Sequence, residues 1–236
     1  MQLFFAENIE SDICELTAEE SKHCVKVLRM GVGDALHLTD GSGTLCLGTI
    51  ISADPKACVV QINQRFPNYG QRSHYLHIAV APTKNTARLE WFIEKAVEVG
   101  IDEITPLVCD HSERTTLNTD RLEKIILSAM KQSLKAYKPR LNQPTRFNDL
   151  VNAPFDGQRF ICHCEGDQRT PLRACCKDNT PSLILIGPEG DFSPAEVSAA
   201  LSSGFQPVTL GSCRLRTETA ALYAAVAINF VNEPEE

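Results

Sequence analysis

The spacing of apolar positions changes near residue 70, and the change predicts two structural units. Before it, Ala35 to Leu38, Thr44 to Ile51 and Ala57 to Ile62 are short runs of apolar and β-branched residues. Asp40-Gly41-Ser42-Gly43 and Asp54-Pro55 separate them. Short runs between such turn sequences predict strands joined by tight connections. Thr17 with Glu20 forms a capping box ahead of Cys24, Val27 and Leu28 at helical spacing. One helix is therefore predicted from about Thr17 to Met30, closed by Gly31 and Gly33. Residues 1–70 should form a small barrel or curled sheet.

After a boundary between Asn68 and Arg72, strand and helix alternate, as in a mostly parallel sheet covered by helices. The predicted strands are Tyr75 to Ala81, Glu103 to Val108, Arg159 to His163, Ser182 to Ile186 and Pro207 to Leu210. Leu89, Phe92, Ile93, Ala96 and Val97 form one helical stripe ending at Gly100; Leu122, Ile125, Ile126, Ala129 and Met130 form another ending before Pro139. Ser193-Pro194-Ala195-Glu196 marks a helix start, with Ser193 as N-cap, Pro194 at the first helical position and Glu196 completing the box; Gly204 closes that helix. The fold class expected from this pattern is α/β over residues 73–236, with β structure before it.

Composition adds little until charge is located along the chain. The longest apolar stretch, Ala220 to Ile228, is far short of the roughly 20 residues needed to cross a bilayer. The N-terminus lacks the basic flank and cleavage site of a secretion signal. The ten cysteines lack the spacing of a disulfide framework, in a chain of 236 residues that needs none. A cytoplasmic protein with reduced thiols is expected, without membrane partners. The net charge of −7 argues against a polyanion partner, but between Arg121 and Arg146 seven lysines and arginines face Glu123 alone. Positive charge is concentrated there, either as a solvated helix face or as a nucleic-acid surface.

Ligands of open parallel sheets bind beyond the carboxyl ends of the strands, so the loops after the strands are the candidates. Ile186-Gly187-Pro188-Glu189-Gly190-Asp191 follows an almost purely apolar strand, and its glycines let backbone approach a ligand, although Glu189 and Asp191 disfavour a phosphate. Leu210 to Ala220 runs into an Ala-rich helix, with Arg216, Glu218 and Thr219 at the entrance. Phosphate-binding GxxxxGK[ST], GxGxxG and HExxH signatures are absent. Cys162-His163-Cys164 and Cys175-Cys176 lack the CxxC spacing of a zinc site, so no metal is expected.

These two loops carry a resemblance. Ile186-Gly-Pro-Glu-Gly190, Phe192-Ser-Pro-Ala-Glu196, Leu210-Gly211 and Leu215-Arg216-Thr217-Glu218-Thr219-Ala220 are similar to the motifs of the RsmE-type 16S ribosomal RNA uridine N3-methyltransferases, members of the SPOUT superfamily. His23, Val27-Leu28-Arg29, Asp40-Gly41, Lys84, Arg88 with Glu90, Glu98, Ser112-Glu113-Arg114 and Gln132-Ser133 extend the resemblance over nearly the whole chain. Four positions depart from the family's usual pattern: Gln2 for arginine, Asn85 and Asp191 for glycine, and Arg214 for a β-branched residue.

The resemblance implies a PUA-like β-barrel for RNA at residues 1–70 and a SPOUT-type trefoil-knot α/β methyltransferase domain at 73–236. It also implies a homodimer using S-adenosylmethionine to methylate N3 of a uridine in 16S rRNA, within the small ribosomal subunit. The cofactor is then expected at His163, Ile186, Gly187, Gly190, Leu210, Gly211, Leu215, Arg216, Thr219 and Ala220. Arg216 would stabilise a uridine anion, while Glu218 accepts the N3 proton or orients the arginine. Lys26, Arg29, Lys84, Arg88, Arg114 and Lys135 are the candidates for RNA phosphate contact. Two other readings stand beside this one: a non-catalytic RNA-binding relative, and a SPOUT methyltransferase acting on another RNA base or on ribose oxygen.

Overall fold

In a computed structural model, residues 2–164 and 169–233 are described, and they fall into two compact units. One comprises the chain up to Gln71 together with Leu127–Lys138; the other comprises Arg72–Ile126 and the chain from Pro139 on.

The first unit is a five-stranded sheet built from β1 (Leu3–Phe5), β2 (Ile13–Glu15), β3 (Ala35–Thr39), β4 (Leu45–Ala53) and β5 (Cys58–Phe66), in the order β1-β3-β4-β5-β2. Only the β1–β3 pair is parallel. Alternate residues of β4 and β5 point inward, and Leu36, Leu38, Cys46, Ile50, Cys58, Val60 and Ile62 form the core with Phe4 and Leu16. Register shifts at Leu47/Gly48 and Ile50/Ser52 bend β4, as bulges do in curled sheets. Gly48 permits this bend: a Cβ there would lie 2.5 Å from Val60 Cγ1. The segment 127–138 closes one side of the unit, with Ala136 buried against Leu3 and Leu45 and its carbonyl accepting from Thr39 Oγ1.

The helix predicted for Thr17 to Met30 is shorter. Thr17 caps α1 (Ala18–Lys22), which widens into a π turn at His23–Val27 and stops where Arg29 takes φ +58. A left-handed residue ends a helix as a glycine would, so the chain has already turned before Gly31.

The second unit contains β6 (Leu76–Val80), α2 (Thr86–Val99), β7 (Glu103–Val108), α3 (Thr119–Gln132, beginning in this unit), β8 (Arg140–Leu141), β9 (Thr145–Arg146), α4 (Phe147–Val151), β10 (Gln158–Cys162), β11 (Thr170–Pro171), α5 (Leu172–Cys175), β12 (Ser182–Ile186), α6 (Pro194–Ser202), β13 (Gln206–Thr209) and α7 (Thr217–Val231). The sheet order is β11-β13-β10-β12-β6-β7-β8, with β9 also on β7, and every pair is parallel. β6 and β12 are buried at every position, which is why both read as mostly apolar runs, interrupted only by His77 and Ser182. α3 ends before Pro139, as expected, and the chain turns just after it at Leu134, φ +57. Among the described residues no helix is long and apolar enough to cross a membrane, and all ten cysteines are free thiols.

Replacing Gly48 with valine is expected to destabilise the protein by about 1–3 kcal/mol through overpacking against Val60, read as a lower midpoint in denaturant unfolding. An unchanged midpoint would mean that the two strands do not approach so closely.

Candidate active site

The loops after β10, β12 and β13 enclose a cleft of about 860 Å³ at the carboxyl ends of the parallel strands. Its lining includes His163, all of Ile186 to Asp191, Leu210 to Thr217, Ala220 and Arg88. That volume suits a ligand of cofactor size. Every residue expected to hold the cofactor lines it except Thr219, which is exposed on α7.

The turn after β12 is fixed from several sides by side chains holding backbone. The Asp191 amide donates to the Pro188 carbonyl, closing the turn. Thr217 Oγ1 donates to the Gly187 carbonyl at 3.1 Å, tying the start of α7 to the end of β12. His111 Nδ1 donates to the Gly190 and Asp191 carbonyls, and the Asp191 bond leads in raising the histidine's pKa. Below the turn, Ser193 and Glu196 form the expected capping box, and Glu196 Oε1 also accepts from the Asp110 amide while Ser193 Oγ donates to Asp110 Oδ2. Gly187 is needed for packing, since a Cβ there would lie 3.1 Å from the Phe192 ring. Gly211 at φ +126 faces open space, so the β13 loop presents bare backbone to the cleft.

Arg216 sits just before α7 and reaches the cleft. Glu218 does not line it. The Glu218 side chain is 9% exposed, and Oε1 lies 3.8 Å from Arg88 Nε. Its other oxygen, Oε2, is buried with no hydrogen-bond partner among the described residues. A buried oxygen left in that state costs about 1–3 kcal/mol, so this arrangement is not explained by stability. The sequence carries no signal of the Arg88–Glu218 pair, because it joins the first turn of α2 to the first turn of α7.

The candidate RNA residues divide between the units. Lys26 and Arg29 are exposed at and just after the π turn, and Lys135 is half-buried in the 127–138 segment. In the other unit, Lys84 pairs with Glu113, Arg114 Nη2 donates to the Lys84 carbonyl, and Arg88 lines the cleft. Part of the basic stretch is engaged internally: Arg121 holds Glu90 with two bonds, and Lys131 holds Glu20. No group of three or more histidines, cysteines and carboxylates arranged to hold a metal occurs among the described residues.

Residues 71–229 match an RNA methyltransferase domain, and residues 16–63 match an RNA methyltransferase PUA domain. A ribosomal RNA small subunit methyltransferase E of Mesomycoplasma hyopneumoniae is 30% identical over 72% of this chain and 75% of its own length. The chain belongs to the ribosomal RNA small subunit methyltransferase E family. The Buchnera aphidicola member is 26% identical over 96% of this chain and 92% of its own. Among solved structures, a probable rRNA methyltransferase from Porphyromonas gingivalis is 41% identical with TM-score 0.92. A putative methyltransferase from Legionella pneumophila, in complex with S-adenosylmethionine, is 26% identical with TM-score 0.88; each covers 98% of both chains. The expected fold class, a PUA-like β unit preceding a SPOUT-type α/β unit, agrees with these matches.

Family membership gives two of the departures a physical meaning. Asp191 stands at φ +62, the left-handed region that explains a glycine there in the family pattern. Aspartate tolerates this region, and here its carboxylate accepts from the amides of Cys164 at 2.8 Å and Phe192 at 2.9 Å. The substitution therefore ties the β10 loop to the β12 turn. Asn85 caps α2 by accepting from the Ala87 amide, a service no glycine side chain gives. Asp191→Ala should cost about 1–3 kcal/mol by losing both bonds in a strained conformation, and Asp191→Gly clearly less. Denaturant unfolding of the two variants checks this, and equal losses would refute it.

Proposed function

We propose that this protein transfers the methyl group of S-adenosylmethionine to N3 of a uridine in 16S rRNA within the small ribosomal subunit, in the cytoplasm and as a homodimer. The observation that carries the reading is a cleft walled by glycine-bearing backbone at the carboxyl ends of β10, β12 and β13, in a chain of this family. The cleft fits the cofactor chemically as well as in size. Glu189 and Asp191 at its lip disfavour a phosphate but suit a ligand carrying a sulfonium and an ammonium. His163, Ile186, Gly187, Gly190, Leu210, Gly211, Leu215, Arg216 and Ala220 would hold it. When bound, it supplies an electrophilic methyl group.

The chain's own work is alignment and charge stabilisation. Uridine N3 carries a proton that must leave before or during attack, which moves negative charge onto the two flanking carbonyl oxygens. Arg216, at the cleft wall, has the donors for that charge. N3 lies on the pairing edge of the base, so the uridine must leave its stack to enter the cleft. RNA grip by Lys26, Arg29, Lys84, Arg114 and Lys135, with the PUA-like unit at residues 1–70, supports that exposure.

The homodimer is supported by α7. Tyr223, Val226 and Phe230 lie at successive turns of one face, 52%, 46% and 75% exposed, while Ala221, Ala224, Ala225 and Ile228 are buried on the other. A stripe of that kind on a buried helix is what a second copy would cover.

Incubation with labelled S-adenosylmethionine and small subunits lacking the modification, followed by mass spectrometry of nucleosides, is expected to yield N3-methyluridine. A methyl group on another base or on ribose would overturn the assignment. Tyr223→Asp combined with Phe230→Asp is expected to halve the mass seen by light scattering. A wild type already monomeric would refute the dimer.

A further inference from the structure

We propose that Arg88 acts on the uracil ring rather than on an RNA phosphate, and that Glu218 is its positioning residue rather than the base for N3. This deepens the uridine N3 reading above and rests on it.

Glu218 does not line the cleft, and its side chain is 9% exposed. Its charged neighbour is Arg88, whose Nε lies 3.8 Å from Oε1. Arg88 lines the cleft with Arg216, and its side chain is 37% exposed, whereas those of Lys84 and Arg121 are 75% and 65% exposed. It is a recessed cation with a carboxylate behind it. A guanidinium presents its donors in one rigid plane, so holding the Nε edge toward Glu218 leaves the remaining N–H groups for the cleft. The carboxylate cancels part of the charge a phosphate would feel but leaves those directed donors in place.

A uridine that has lost its N3 proton needs this kind of partner. Its charge sits on two carbonyl oxygens, one on each side of N3, and Arg88 and Arg216 reach the cleft from two different elements, α2 and the β13–α7 loop. One arginine then serves each oxygen. In the step itself the N3 proton passes to water, the N3 electron pair forms the bond to the methyl carbon, and the electrons of the carbon–sulfur bond stay on sulfur. Glu218 takes no proton at any point. It fixes the plane of Arg88, which explains a buried carboxylate retained with one oxygen unsatisfied.

The test compares Arg88→Ala, Arg88→Lys and Glu218→Gln with wild type in single-turnover methylation at saturating small subunits. RNA affinity as a function of salt and cofactor affinity by calorimetry are measured alongside. Arg88→Ala is expected to slow the step by about 10²–10³-fold, with the salt slope unchanged, and added guanidinium should restore part of the rate. Arg88→Lys, which keeps charge but loses the planar fork, should be nearly as slow. Glu218→Gln should be slowed less and should keep the wild-type rise of rate with pH, since it removes no base. Cofactor affinity within about twofold of wild type in all three reports intact folding, with Arg88→Lys the variant least able to disturb it. A normal rate at saturation with a salt slope smaller by about one would make Arg88 a phosphate contact and overturn the proposal. Loss of the pH dependence in Glu218→Gln would make Glu218 the base, with the same effect. If wild type methylates an atom other than uridine N3, the parent reading fails first, a result told apart by the modified nucleoside.

Discussion

The site depends on one short turn, Gly187 to Asp191, held rigid by bonds from segments far apart in the chain. Thr217 holds its first carbonyl, His111 its last two, and the Asp191 carboxylate binds the Cys164 amide just after β10. Each of these groups sits on an element already fixed by the parallel sheet. Glycine-bearing backbone makes up part of the cleft wall, so where that backbone is held matters to the site. The capping box of α6 extends the same logic: Glu196 satisfies its own helix and the Asp110 amide of the neighbouring loop at once. Rigidity at this turn is therefore shared by β7, β10, β12 and α7.

Charge is arranged around that frame by burial. Exposed pairs such as Lys84 with Glu113 contribute little to stability and leave cations available at the surface. The Arg88–Glu218 pair is different, because its carboxylate is nearly sealed from water and incompletely satisfied. Such groups cluster where charge develops during a reaction, and Arg88 of this pair lines the cleft built from the strand-end loops. Within the −7 net charge of the chain, the basic residues between Arg121 and Arg146 are gathered rather than averaged, and some of them are held by internal carboxylates.

Much of this was legible in the sequence, for reasons that differ by element. Strands β6, β7, β10, β12 and β13 fall within two residues of their predicted ends; β6 and β12, buried at every position, carry the plainest apolar signal. β1 and β2, of three residues each, carry no periodicity to read. The helix after Thr17 stops short of Met30 because Arg29 adopts left-handed backbone, which glycine and proline rules do not anticipate. At the site the loops were visible, since Gly-Pro-Glu-Gly and Leu-Arg-Thr-Glu-Thr are unusual strings after strands. The pairing of Glu218 with Arg88 was not, because helical spacing says which side of a helix a residue takes but not which distant helix it meets.

The central claim is that these three strand-end loops form the cofactor site, and hydrogen exchange with and without S-adenosylmethionine tests it most directly. Protection should concentrate at residues 186–191 and 210–217 and beside His163, with the first unit unchanged. Binding accompanied by protection elsewhere, leaving these loops as labile as before, would contradict the account.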